Sequence, residues 1–256
     1  MINLMYIVLT AMLALNVSSD VLDGFTQVHD GLNRSNANVS GRNAAIYHQL
    51  EAFAEQNPGK GKVWLDRATE VRRSTAQLYA LVDSFKTAIV READGPEGDV
   101  NDIQSRDDLE SAAVVMLAPG SRNGEGLRHR IDTYREFITS MVADTAKRAS
   151  IIDALSTQPI RRKGQLAPQQ WEAAKFDQQP VVAAVTPLSE LQNDLLYAEG
   201  EALSTLVSNV DAGDGRVNEL NAYVLPEATT LYPGDEFRSR IFMAAIDTTQ
   251  RPTIYV

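Results

Sequence analysis

Apolar residues recur every three or four positions along most of the chain, a period that predicts amphipathic α-helices. The spacing predicts four helices, at Asn43 to Glu55, Val63 to Ile89, Leu127 to Leu155 and Leu188 to Val207. Thr186 is the expected N-cap of the last helix, with Pro187 in its first turn. Four such helices can bury one another's apolar faces, so residues 23–209 are predicted to form a helical bundle with long connections.

The period changes after the segment from Val210 to Gly215, where apolar and polar residues begin to alternate. Alternation predicts strands, here at Leu220 to Val224, Phe237 to Ala245 and Thr253 to Val256. We therefore predict a second domain at 210–256, consisting of a linker and the first strands of an immunoglobulin-like β-sandwich. Because such a sandwich needs about seven strands and about 100 residues, we expect the natural chain to continue beyond Val256.

The first residues of the chain are predicted to form a transmembrane helix at 1–22. Met1 to Ser19 carry no charged side chain and are mostly apolar. As a helix they would span about 28 Å, close to the roughly 30 Å hydrocarbon core of a bilayer. A cleaved signal peptide ending near Ser19 is the alternative. The apolar rhythm continues from Val21 to Leu32, which favours one helix that leaves the membrane without a break.

One face of this predicted span is small and polar. At 100° per residue, Asn3, Tyr6, Thr10 and Ala14 lie together, which predicts a partner-facing surface where helices approach closely. A plain anchor whose polar groups lie at the membrane surface is the alternative. No basic residue precedes Arg34, so we expect a short cytoplasmic N-terminus before Met1 and a periplasmic location for the bulk of the chain.

Composition excludes several classes of function. Lys and Arg number 24 against 34 Asp and Glu, for a net charge of −10, which argues against nucleic-acid binding. The chain has no cysteine, so disulfides and thiolate chemistry are impossible, and its three histidines lie far apart in sequence. No nucleophile, paired carboxylates or cofactor motif stands in a recognisable frame. We therefore expect no enzyme activity, no cofactor and no metal site.

Three short segments have simple structural interpretations. Trp171 to Phe176 resembles an amphipathic turn whose aromatic rings pack on the bundle, and Arg161 to Lys163 is expected in a solvated loop. Glu199 and Glu201 are expected on the solvent-facing side of the last helix.

The run from Asn3 to Leu22, NLMYIVLTAMLALNVSSDVL, closely resembles the start of the GldM/PorM family of Bacteroidetes gliding motility and type IX secretion. The segment from Trp171 to Phe176, the helix from Pro187 to Leu206 and the strand entry from Tyr232 to Asp235 support the resemblance, which covers essentially the whole chain and is greatest for the PorM branch. The family's architecture implies one inner-membrane helix, a periplasmic helical domain and several β-rich domains.

The resemblance also implies a function and partners. It implies a homodimer whose transmembrane helices stand inside a ring of a polytopic GldL/PorL-type protein, which carries the proton-conducting acid. Proton flow would turn this assembly, and the periplasmic part would transmit torque toward outer-membrane-associated ring proteins through domains beyond this chain. Only Asn3, Tyr6, Thr10 and Ala14 are carried over as partner-facing residues. A single-pass periplasmic sensor and a passive envelope anchor remain as alternatives.

Overall fold

The computed structural model of the chain describes Met5 and residues 18–161, 167–213, 219–226 and 236–246. In chain order its elements are α1 (Ser19–Gln56), α2 (Pro58–Asp94), α3 (Ser111–Leu117), α4 (Asn123–Met141), α5 (Thr145–Ala154), α6 (Trp171–Phe176), α7 (Val181–Gly213), β1 (Glu219–Pro226) and β2 (Ser239–Ile246). Backbone contacts divide the chain into two units, Met1–Val207 and Ser208–Val256. The chain is mainly helical, as predicted.

Helix α1 is 38 residues long, so the prediction of a short helix from Asn43 to Glu55 is wrong. The part of α1 before Asn43, which was not predicted, has polar residues at buried positions, and a search for apolar spacing does not detect these. The predicted unbroken passage out of the 1–22 segment is also wrong at Ser18. This residue has φ −58° and ψ 137°, outside the helical region, and the helix begins at Ser19. Serine followed by Asp20 in the first turn is a typical helix start.

The predicted helix from Val63 to Ile89 is confirmed within α2, which forms a tight hairpin with α1. Asn57 alone connects the two helices, and Pro58 opens α2, where its missing N–H costs nothing. Gly61 lies against α1 so closely that a Cβ atom there would be 2.4 Å from the Cα of Ala54. The hairpin therefore depends on the absence of a side chain at this position.

Replacing Gly61 with alanine should lower the free energy of unfolding by about 1 to 2 kcal/mol, although alanine is the better helix former. The new methyl group would meet backbone, which must move, and this overpacking outweighs the propensity gain of about 1 kcal/mol. Chemical denaturation measures the change. Gly59→Ala is the matched control, because its Cβ would meet nothing within 4 Å, and its stability should not fall. Equal stability of the two variants would contradict the close approach.

The predicted helix from Leu127 to Leu155 is two helices, α4 and α5, because the chain extends at Val142, where φ is −104° and ψ is 114°. The Asp144 carboxylate caps α5 by accepting hydrogen bonds from the backbone N–H groups of Ala146 at 2.8 Å and Lys147 at 3.0 Å. An aspartate in this position favours a helix start over a helix interior, and this local preference overrides the longer apolar period.

Helix α7 begins five residues before the predicted cap, at Val181, so Pro187 lies inside the helix. Thr186 is not an N-cap. Its hydroxyl donates to the carbonyl oxygen of Val182 at 2.7 Å, one turn back in the same helix. The run from Val181 to Val185 is almost completely buried, and this burial stabilises a helical turn ahead of the proline that local signals did not predict.

The short helix α6 closes the core, which confirms the predicted packing of Trp171 to Phe176. Phe176 is fully buried, and its ring meets that of Trp171 edge to face, with centroids 6.1 Å apart. A loop at 95–110 joins α2 to α3. The Asp94 carboxylate accepts from the backbone N–H groups of Gln104 at 2.9 Å and Ser105 at 2.7 Å, which ties the loop to the end of α2.

In the second unit, β1 and β2 pair antiparallel with Glu219 opposite Ile246, and the rings of Tyr223 and Phe242 stack across the ladder. The two alternating segments at Leu220 to Val224 and Phe237 to Ala245 are therefore strands over most of their length, with Phe237 lying just before β2. The predicted strand at Thr253 to Val256 and the strand entry at Tyr232 to Asp235 lie outside the described residues.

Among the residues that the structure describes, no helix combines the length and the apolar composition needed to cross a membrane. The predicted span at 1–22 lies outside those residues except for Met5 and residues 18–22.

Candidate functional site

The four residues predicted to face a membrane partner, Asn3, Tyr6, Thr10 and Ala14, lie outside the described residues. Within the described part, polar side chains are most concentrated in a line of buried and half-buried residues between α1 and α7. We call it the polar seam. It consists of His29, Asn36 and Asn43 on α1 together with Ser189, Asn193 and Glu199 on α7.

The polar seam follows a seven-residue period on α1. The buried positions Leu22, His29, Asn36, Asn43 and Leu50 are each seven residues apart. Side chains at this spacing form a nearly straight stripe along a helix that packs on a parallel neighbour. The stripe is apolar at both ends and polar in the middle. Each of the three polar members exposes no more than 3% of its surface, so their hydrogen bonds must be made within the protein.

Two asparagines set the alignment of α1 and α7. The amide nitrogen of Asn36 donates to the backbone oxygen of Ser189 at 3.2 Å, and that of Asn43 donates to the backbone oxygen of Leu196 at 2.7 Å. Each bond joins residues 153 positions apart, so one step of seven residues on α1 matches one step of seven on α7. The two helices therefore run parallel, and Asn193 adds a bond of 2.9 Å to the Asn36 side-chain oxygen.

His29 closes the N-terminal end of the seam. Its Nε2 lies 3.0 Å from the amide nitrogen of Asn33, which is a donor, so Nε2 accepts and the ring is neutral. Nδ1 then donates to the hydroxyl of Ser189 at 3.0 Å. Burial lowers the pKa of His29, and the positive charge of Lys86 lowers it further. The neutral form is the one the folded protein favours.

Glu199 lies at the other end of the polar seam. The prediction that its carboxylate faces solvent is wrong. It is only 6% exposed and accepts from the amide nitrogen of Asn43 at 2.8 Å. Burial raises the pKa of Glu199, and the bond from Asn43 opposes that rise. The next residue, Gly200, lets α1 approach, because a Cβ there would be 2.7 Å from the side-chain oxygen of Asn43.

Glu201 is also not on a solvated face. Its carboxylate pairs with the ammonium of Lys147 at 2.7 Å, and its side chain is 20% exposed. This contact joins α7 to α5. Both acids sit on a helix that is surrounded by other helices, and an apolar period alone does not reveal which polar residues such a helix buries.

On its other sides α7 is bonded to α2 and α4. The Lys86 ammonium donates to the side-chain oxygen of Gln192 at 2.9 Å, and the Gln192 amide donates to the backbone oxygen of Tyr79 at 3.3 Å. The Tyr134 hydroxyl of α4 donates to the backbone oxygen of Leu195 at 3.4 Å and lies 2.8 Å from the Thr75 hydroxyl of α2. Burial raises the pKa of Tyr134. Helix α7 is therefore the central helix of the first unit, held by directional contacts to four neighbouring helices, α1, α2, α4 and α5.

The hydrogen bonds of the polar seam fix the position of α1 along α7. Sliding α1 along α7 by one helical turn, about 5.4 Å, would separate each asparagine from its acceptor and leave buried polar groups unpaired. A purely apolar interface resists such sliding much less, because dispersion contacts are not directional. Within the described part of the chain, no group of three histidine or acidic residues is arranged to hold a metal ion.

Asp194 lies on the face of α7 away from the seam, beside a small cavity of about 120 Å³ lined by Trp171 and Leu155. Burial raises the pKa of Asp194 to about 7, and the nearby charge of Glu190 adds to the rise while Lys175 opposes it. A carboxyl group of this kind is partly protonated at neutral pH, and its ionisation opposes folding.

Replacing Asp194 with asparagine should therefore stabilise the protein at pH 8 by about 2 kcal/mol, after allowance for its partial exposure. The folded pKa lies above the unfolded one, so the native form of the parent loses stability as pH rises from about 4 to about 7. The variant lacks this loss. Thermal unfolding at pH 5 and pH 8 measures both effects, with Asp153→Asn on the exposed side of α5 as the control. A variant that is no more stable than the parent at pH 8 would contradict the burial of this charge.

The comparisons with known proteins agree with the sequence resemblance. The GldM N-terminal domain matches residues 20–209, and the GldM second domain matches residues 211–256. No curated protein matches the chain. The first match covers the helical unit and its polar seam, and the second covers both strands. The chain therefore belongs to the GldM/PorM family, whose members are components of the gliding and type IX secretion machinery.

Proposed function

We propose that this protein is the inner-membrane-anchored, periplasmic shaft of a rotary motor driven by the proton motive force. In this proposal the segment at 1–22 crosses the inner membrane with its N-terminus in the cytoplasm, and the helical unit transmits torque through the periplasm. The protein acts as a homodimer whose membrane helices stand within a GldL/PorL-type ring. No chemical reaction on a substrate is required of it.

The proposal rests on the hydrogen-bonded pairing of α1 with α7 through the polar seam. Helix α1 has 38 residues and is therefore about 57 Å long, and it begins at Ser19, the last residue of the uncharged run from Met1. Any load entering from that segment passes along α1. The polar seam transfers the load to α7, which is the last helix before the strands of the second unit.

A transmission part has to resist shear between its helices. The seam supplies this resistance through hydrogen bonds at His29, Asn36 and Asn43, which are spaced over two heptads. Near the start of α1, the Asp23 carboxylate also pairs with the Arg106 guanidinium at 2.6 Å, which ties α1 to the loop after α2. A passive anchor has no need of a shear-resistant path between its first and last helices, so these contacts favour the motor role over the anchor.

The test is a site-specific photocrosslink within the membrane segment. A photoreactive amino acid at Tyr6 should crosslink to a multi-span membrane protein in living cells, whereas the same amino acid at Val8, on the opposite helical face, should crosslink far less. Mass spectrometry of the product identifies the partner. Equal yields at both positions, or no product at Tyr6, would count against a partner-facing surface.

Substitutions on the same face of the membrane segment test whether that face is needed for function. Asn3→Ala and Tyr6→Ala should reduce secretion or gliding while leaving the protein inserted and folded, because a close helix contact is lost. Val8→Ala is the control. Full activity of both polar-face variants would favour the passive anchor instead.

A further inference from the structure

A groove of about 860 Å³ lies between α1 and α2 and reaches down to α7. Near its lower end the two helices touch through the hydroxyls of Tyr47 and Thr69, which lie 2.9 Å apart. Leu196 and Glu199 of α7 form part of the floor, and the turn at 98–101 borders the other end. A volume of this size is typical of ligand-binding clefts, and the proposed shaft function makes no use of it.

The groove contains an ammonium group that is buried. Lys86 lines the groove but exposes only 3% of its surface. Its three N–H donors have one close acceptor, the Gln192 side-chain oxygen at 2.9 Å, while the nearest Asp83 oxygen is 3.8 Å away. Burial lowers the pKa of Lys86, which reflects the cost of keeping this charge out of water. A carboxylate placed beside it would supply the missing acceptor.

The walls of the groove suit a backbone amide more than a free anion. Asn33, Asn36 and Asn43 line the α1 side, and the side-chain oxygen of Asn43 has no hydrogen-bond partner among the described residues, so it can accept from a peptide N–H. The charges of the lining are balanced, since Arg72 and Arg91 accompany Lys86 while Asp83, Asp99 and Glu199 oppose them. Balanced charge disfavours a multiply charged anion such as a phosphate.

From these features we propose that the groove binds an extended peptide segment of a partner protein, with one acidic side chain of that segment placed against Lys86. Along α2 the lining runs from Arg72 to Arg91, about 28 Å, which matches about eight residues of extended chain. Lys86 is buried, whereas the side chain of Asp83 is 60% exposed. Water therefore screens the charge of Asp83 more than that of Lys86, so the positive charge is felt more strongly in the groove and favours a carboxylate on the peptide.

The test uses two capped peptides, acetyl-Ser-Ala-Ala-Glu-Ala-Ala-Ser-amide and the same peptide with glutamine in place of glutamate. Titration calorimetry with the whole chain should show the glutamate peptide binding about tenfold more tightly, as expected for one charge-assisted hydrogen bond. Lys86→Met should remove the difference between the peptides. Lys62→Met, on a different part of α2, should leave the difference unchanged.

A second pair of variants guards against misfolding at a buried position. Ala76 is exposed and lines the groove, so Ala76→Trp should fill it and abolish binding of both peptides. Ala45 is also exposed, lies on α1 and is not part of the lining, so Ala45→Trp should bind like the parent. Equal affinity of the parent for both peptides, absence of binding at millimolar concentration, or binding that survives Ala76→Trp would each overturn the proposal.

Discussion

Replacing Asn43 with leucine is expected to lower the free energy of unfolding of the helical unit by about 3 kcal/mol. The substitution removes the donor that serves both the backbone oxygen of Leu196 and the carboxylate of Glu199. The carboxylate stays buried without that bond, which is the costly part of the change. For a unit of this size the midpoint of thermal unfolding should fall by about 6 to 12 °C.

Asn38→Leu is the matched control, because Asn38 lies on the exposed side of the same helix. Its effect should stay within about 0.5 kcal/mol, as for most surface substitutions. The loss caused by Asn43→Leu should be smaller at pH 5 than at pH 8. At the lower pH Glu199 takes up a proton more readily, since burial already raises its pKa, and a neutral carboxyl is less costly to bury. A loss below 1 kcal/mol at pH 8 would show that the seam contributes little to stability.

The second large effect is expected on function, and it depends on the proposed shaft role. Combining Asn43→Leu with Glu199→Met replaces a buried polar pair by an apolar pair and should restore stability to within about 1 kcal/mol of the parent. Secretion or gliding by cells carrying this double variant should nonetheless fall by about tenfold, a change within the range typical of coupling between sites. The apolar pair holds the helices together but no longer opposes sliding at this position, where the seam loses its shortest bond to the α7 backbone, while His29 and Asn36 keep their bonds to Ser189.

Assays of secreted protein and of cell movement measure this second effect, with membrane insertion checked by fractionation and folding by thermal unfolding. Asn38→Leu again serves as the control and should act like the parent. A double variant with parental stability and parental activity would show that the Asn43–Glu199 part of the seam is not needed to transmit torque. The proposed load path through α1 and α7 would then be wrong.

The helical nature of 23–209 could be predicted because its apolar period is strong in α2, α4 and α7. Errors occurred where a local signal competed with that period. Asp144 caps a new helix inside the predicted span from Leu127 to Leu155, and burial of Val181 to Val185 extends α7 ahead of Pro187. The two errors have different origins, since an apolar period averages over several turns and does not resolve the cap at Asp144, whereas the start signal at Thr186 and Pro187 is overridden by burial of the turn before it.

The polar seam was missed although part of its signal stands in the sequence. Leu22, His29, Asn36, Asn43 and Leu50 keep a strict seven-residue spacing, which becomes visible only when polar residues are included in the search. Even then the spacing does not show whether the asparagines face a partner helix or water. That depends on α7, more than 150 residues later in the chain, and on the absence of a side chain at Gly200.

By itself the sequence determined the helical character of the first unit, the change to strands after Val210 and the membership of the GldM/PorM family, because periodicity and a family's motifs are properties of local sequence. Only the tertiary structure decided that Glu199 is buried, that α1 and α7 run parallel in one alignment, and that Lys86 lines a groove. These features arise from contacts between residues far apart in the chain, and whether a polar side chain is buried is settled by which distant element packs against it.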